Sequence, residues 1–207
     1  MVPEKKETIF ADGEFTQLLY LSVLEVLGET EFNSLIESSA LKVEGRDDPT
    51  RKPIAIDQLN SFLNALVNKY GLLSTRGFIL LIGRATFRNL RRRNQAIQEI
   101  GSMQRRLEPF STRIFLGLSD CIKLLQGHIS TPIQLIETTP GWQVEFNDVV
   151  NLESMREINA FSFFLKGILQ EFLEWMDPRR SFKVEELNPS HASFHNSGFF
   201  IQVLPMD

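Results

Sequence analysis

From Glu14 to about Ala40 the apolar residues recur at threes and fours, the period of a helix with one buried face. Phe15, Leu18, Leu19, Leu21, Val23, Leu24 and Leu27 form the stripe, Gly28 interrupts it, and "ETEFNSLIESSALK" reads as a second, shorter helix. "VEGRDDPTRKP" breaks the pattern as a polar loop with two prolines. The stripe returns through Ile56, Leu59, Phe62, Leu63, Leu66 and Tyr70, with Gly71 placed to end that helix. "STRGFILLIGRATFRNLRRRNQ" predicts a longer helix capped by Ser74, apolar in its first half and basic in its second. Pro109 opens the next, which runs through "FSTRIFLGLSDCIKLLQG" to Gly127.

The period then changes. "TPIQLIETTPGWQVEF" alternates about a tight Thr-Thr-Pro-Gly turn and predicts a β-hairpin. "INAFSFFLKGILQEFLEWM" is a strongly apolar helix stopped by Asp177-Pro178, and "SFKVEEL" and "GFFIQVL" are two further short strands. Helices, a hairpin, a helix and two strands make an α+β plan, a small antiparallel sheet packed on helices. One domain spanning residues 1–207 is expected, with a helical N-terminal part over about 14–71. No internal repeat interrupts it.

Composition narrows the function. Phe occurs 17 times against 2 Tyr and 2 Trp, which favours a deep apolar interior over a stacking surface. A formal net charge of −4 argues against nucleic acid as a partner. The single cysteine, Cys121, permits no intrachain disulfide and reads as a core thiol. The charged start "MVPEKKETIF" has no apolar signal core, and the longest apolar run, "GFILLIG", is too short to span a bilayer. A cytoplasmic protein with no membrane span is the expectation.

No glycine-rich phosphate loop, nucleophile elbow or ligand cluster of catalytic spacing is present, which argues against an enzyme. His191 and His195 stand four apart, a metal-binding spacing on a helix. Their surroundings, "NPSHASFHNSGFF", read instead as a loop entering a strand, where the same spacing separates them by about 13 Å. No metal is expected there; solvated loop histidines, or a polar role in a pocket, remain open. Arg84, Arg88, Arg91, Arg92 and Arg93 form a basic cluster at a helix end, where cations suit the dipole. An acidic partner or an anionic group is the alternative. Arg84 stands apart because its neighbours Leu81, Ile82 and Phe87 are apolar, so a half-buried ion pair is expected.

Four stretches, taken in order, carry a family likeness: "LLIGRATFRNL" with Gly83-Arg84, the hairpin "IQLIETTPGWQVEFND", "AFSFFLKGILQEFLEWM" with Gly167, and the closing "FKVEELNPSHASFHNSGFFIQV" with Glu185 and Glu186. From about Arg76 to residue 204 the chain resembles the 4-vinyl reductase domain family, related in fold to core subunits of the TRAPP vesicle-tethering complex. It departs from that pattern in lacking the cysteines many members carry ahead of the helix glycine or across the last two strands. The resemblance implies a TRAPP-like fold and non-enzymatic binding of a small apolar or aromatic molecule between sheet and helices, with no cofactor. Arg84, Phe87, Trp142, Phe161, Phe163, Phe164 and Ile168 are the expected ligand-binding residues. A protein partner would read the bound state. The same resemblance implies two alternatives, a tethering protein with a vestigial cavity and an accessory factor in tetrapyrrole vinyl reduction. A homodimer is expected too, because "FTQLLYLSVLEVL" is apolar around most of its circumference and needs a second covering surface.

Overall fold

A computed structural model describes residues 9–39, 52–101, 107–147, 160–187 and 196–204. The elements run β1 (Ile9–Ala11), α1 (Gly13–Leu27), α2 (Glu29–Ser38), β2 (Ile54–Ala55), α3 (Ile56–Tyr70), α4 (Leu72–Arg93), α5 (Gln95–Ile100), α6 (Phe110–His128), β3 (Ile133–Glu137), β4 (Trp142–Asn147), α7 (Ala160–Met176), β5 (Phe182–Glu186) and β6 (Asn196–Val203). The α+β class holds.

Local chemistry sets the boundaries. Asp12 caps α1, its carboxylate accepting from the Phe15 N–H at 2.8 Å. Gly28 and Gly71 separate α1 from α2 and α3 from α4 at φ 81° and 77°, with extended ψ. That combination is essentially closed to residues with a Cβ, so both junctions require glycine. α4 starts at Leu72, two residues before the expected cap Ser74; the Thr75 hydroxyl bonds back to the Gly71 carbonyl instead. α5, at six residues, is too short to show a stripe.

The larger sheet has strand order β3-β4-β6-β5, all antiparallel. The expected hairpin is β3 and β4, closed by reciprocal Thr138–Gly141 backbone bonds. Trp142, Val144, Phe146, Val184, Phe199 and Ile201 give the sheet a buried face, with Val144 opposite Phe199 and Ile201 flanked by Trp142 and Val184. β1 and β2 form a separate two-stranded ribbon. The "VEGRDDPT" part of the polar loop, and the His191 and His195 segment, lie outside the described residues.

α4 and α7 are the spine. Their pairings advance together along both helices: Arg76 over the Phe163 ring, Arg84 to Glu171, Phe87 against Phe172, Arg91 over Trp175. They therefore run in the same direction. A Cβ on Gly83 would overlap the Phe164 carbonyl oxygen and stand 3.2 Å from Gly167 Cα; one on Gly167 would overlap the Leu80 carbonyl oxygen. Two glycines let the backbones touch.

Candidate functional site

An apolar cavity of about 40 Å³ lies where five elements converge. α3 gives Leu59, Phe62 and Leu63, α1 gives Leu19 and Val23, and α4 gives Ile79 and Ile82. Phe10 of β1 and Ala160, Phe161 and Phe164 of α7 complete the wall. Every described wall side chain is hydrocarbon.

The aromatic wall is held by other rings. Phe161 meets Phe10 edge-on at 6.0 Å and Phe146 edge-on at 5.3 Å, while Phe164 meets Phe15 edge-on at 6.3 Å. Edge-to-face contacts of this kind fix ring orientation as well as burying area. Phe15 in turn stacks on His128, the last residue of α6. His128 Nδ1 stands 2.8 Å from Asp12 Oδ2, and its carbonyl accepts from the Asp12 N–H at 2.9 Å. The end of α6 is thus pinned to the start of α1.

On the far side of the glycine contact lies a charged cluster. Arg84 donates to Glu171 at 2.8 Å and to Glu174, and Arg88 bridges Glu25 and Glu171 at 2.8 and 3.3 Å. The bond to Glu25 holds the Arg88 pKa above its usual value. Arg84 and Arg91 border an open groove of about 620 Å³ with Glu171, Glu174, Trp175 and Arg180. It is far larger than the apolar cavity, but its acids Glu171 and Glu174 already hold Arg84, and charged groups line it. The apolar cavity is the better binding candidate. A third cluster locks α6 to α7: buried Asp177 accepts from Arg113 at 2.9 Å, with Arg179 and Arg180 at 3.8 and 3.7 Å.

The expected site residues divide. Phe161 and Phe164 stand in the cavity wall. Phe163 is half-buried under Arg76, Ile168 is buried in the core, and Trp142 sits in β4 opposite Ile201. Phe87 packs beyond the glycine contact against Phe172 and Trp175, and Arg84 joins the surface ion network. The structure does not bring these seven together. Cys121 is fully buried, and burial pushes its thiol up to about 12. Among the described residues no group of three His, Cys, Asp or Glu is placed to hold a metal ion. No described helix is long and apolar enough to cross a membrane.

The remaining wall residues carried no separate signal in the sequence. Leu19, Val23, Leu59, Phe62 and Ile79 belong to ordinary helical stripes. Phe10 offered one clue, an apolar triplet, Ile9–Ala11, placed directly before the helix cap Asp12.

No family model matches the chain, and no curated protein does. Solved structures do. An H-NOX protein from S. oneidensis in an Fe(II)NO ligation state superposes with a TM-score of 0.65 at 14% identity, covering 94% of this chain and 99% of that one. An Fe(II) unliganded H-NOX protein from K. algicida gives 0.57 at 14% identity over 94% and 97%. An oxygen-binding H-NOX domain related to soluble guanylate cyclases, in its oxygen complex, gives 0.59 at 12% identity over 93% of each chain. The fold is that of H-NOX domains.

This corrects the resemblance to 4-vinyl reductase domains and TRAPP subunits. In this chain the four stretches form a glycine-mediated helix contact, a hairpin and a closing strand pair, within a fold that superposes on H-NOX domains. They describe packing and specify no ligand.

Proposed function

We propose that this protein is a non-enzymatic sensor module that binds one small apolar molecule in the cavity between α1, α3, α4 and α7. The observation that carries the reading is the cavity itself, its described wall all hydrocarbon and set against the α4–α7 contact. The likeness to H-NOX domains, some described with nitric oxide or oxygen bound, supports small-molecule sensing on this fold. The described wall offers no nucleophile, acid or base, and that favours binding over catalysis.

The mechanism is a shift between conformations that the ligand stabilises unequally. Ile82 adjoins Gly83, and Phe164 lies three residues before Gly167. A molecule pressed between Ile82 and Phe164 would change the spacing of α4 and α7 where no side chain cushions them. The Arg84–Glu171–Glu174 network, on the next turn, would carry that change to the surface for a protein partner to read.

A second copy is not needed to cover α1. Within the chain Tyr20 packs edge-on against Phe32 of α2, Asn89 of α4 donates to Ser22, and Arg88 pairs with Glu25. Leu24 is left 36% exposed. We infer a monomer rather than the dimer that the helix circumference suggested.

Methyl-resolved NMR tests the function. Adding ethylene should move the methyl signals of Leu19, Leu63, Ile79 and Ile82 first, and change amide exchange in α7 with them. Unmoved cavity methyls across a panel of ethylene, cyclopropane and benzene would overturn the reading.

A further inference from the structure

This inference rests on the small-molecule reading and narrows its chemistry. We propose that the cavity takes its ligand directly on carbon, without iron, and admits only an apolar molecule of about two or three heavy atoms or a single atom of xenon.

The donor set is the first argument. Iron, bare or carried in a macrocycle, is held by nitrogen, sulfur or oxygen from the protein. No described residue of the cavity wall supplies one. The two described residues with suitable atoms nearest in kind are committed elsewhere. His128 bonds Asp12 through Nδ1 and lays its ring on Phe15. Cys121 is buried as a neutral thiol, whereas the thiolate is the form that ligates metal.

Room is the second argument. Cofactor and drug-sized pockets occupy roughly 300–1,000 Å³. Here about 40 Å³ is open, because Phe10, Phe161 and Phe164 turn their rings into the space and are held there by further rings. An apolar cavity of about 150 Å³ accepts benzene or xenon, and a single water needs about 10–15 Å³. The space therefore suits a diatomic gas, ethylene or xenon and excludes a six-membered ring. The aromatic ligand expected from the sequence is too large for it.

Desolvation is the third. A hydrocarbon wall cannot offset the charge of an iron centre, so placing one there costs far more than placing a neutral gas molecule. The neutral molecule needs only dispersion contacts.

The test uses the full chain, produced with ferrous salt and haemin in the medium. Metal analysis and the visible spectrum are recorded, then methyl NMR under xenon, ethylene and benzene. The expected result is iron well below one atom per chain, cavity methyls moved by xenon and ethylene, and no response to benzene. Ala160→Leu, which fills the space, should abolish the xenon shift while the rest of the spectrum stays folded, with Leu63→Phe as a second filling variant. Stoichiometric iron, with ligands bound only by the iron-loaded form, would overturn this inference and leave the sensor reading standing. Loss of that iron in a His191→Ala/His195→Ala variant would place the donors in the segment outside the described residues. Benzene binding would overturn the size limit alone. No methyl response in metal-free or iron-loaded protein would overturn the sensor reading itself.

Discussion

Gly83 and Gly167 meet backbone to backbone at the centre of the α4–α7 contact, each on the spot where the other helix's side chain would otherwise stand. Glycine inside a helix costs about 0.5–1 kcal/mol relative to alanine. Here the cost secures a close approach that places Ile82 and Phe164 on one side of the contact and Arg84 and Glu171 on the other.

Gly83→Ala and Gly167→Val should each destabilise by about 1–3 kcal/mol, because the added carbon meets rigid backbone. Gly77 and Gly127 also lie in helices, but a Cβ there meets nothing within 4 Å. Gly77→Ala and Gly127→Ala should be neutral or stabilising by up to about 1 kcal/mol. Denaturant melts of the four variants check the contrast; equal effects at all four would show that close approach is not what matters.

Asp177→Ala removes the carboxylate that holds the side chain of Arg113, itself 16% exposed. Breaking a buried pair by deleting one partner costs about 3–5 kcal/mol, and partial exposure of Arg113 sets the lower end as the expected value. A melting temperature close to the parent's would show that the surrounding arginines compensate.

The pH dependence should have two limbs. On the surface between α2 and α3, bonds from Lys69 and then Tyr70 hold the Glu31 carboxyl below its ordinary 4.5. A depressed folded pKa contributes stability that is complete above the unfolded value and is lost as pH falls through the folded one. Glu31 raises the pKa of both Lys69 and Tyr70. Their contribution is complete below the unfolded values of 10.5 and 10.0 and disappears as pH rises through the raised ones. Thermal melts of Glu31→Gln should therefore be flatter than the parent's at both ends, by a small margin because the cluster is exposed. Superimposable curves would show no net coupling.

Cys121 should resist thiol reagents at pH 8 until the chain unfolds, since burial raises its pKa to about 12 and closes off access. Labelling at the rate of a free thiol would contradict the packing of α6.

Light scattering at micromolar concentration should give a mass near 23.8 kDa, unchanged by Leu24→Glu. A doubled mass that the variant restores to that of one chain would favour a dimer through α1.

The helices and the main sheet were legible because each carries its own period: the stripe of Leu59, Phe62, Leu63 and Leu66 and the alternation of Trp142, Val144 and Phe146 need no partner to be seen. β1 and β2 are two or three residues long and exist through their mutual pairing, so no local pattern announces them. The cavity was legible only in part. Phe161 and Phe164 stood out in an unusually apolar helix, whereas Leu19, Leu63 and Ile79 read as ordinary core. A cavity is a property of where five elements fail to meet, and no single stretch encodes it. The arginine cluster was visible, but the acids that hold it, Glu25 and Glu171, stand more than sixty residues away in the chain.

A crystal structure under xenon pressure tests the central claim most directly. The account predicts one xenon peak between Ile82, Leu63 and Phe161, absent from crystals of Ala160→Leu. A cavity that stays empty under pressure, or that holds an iron-bearing group in the unpressurised crystal, would contradict it.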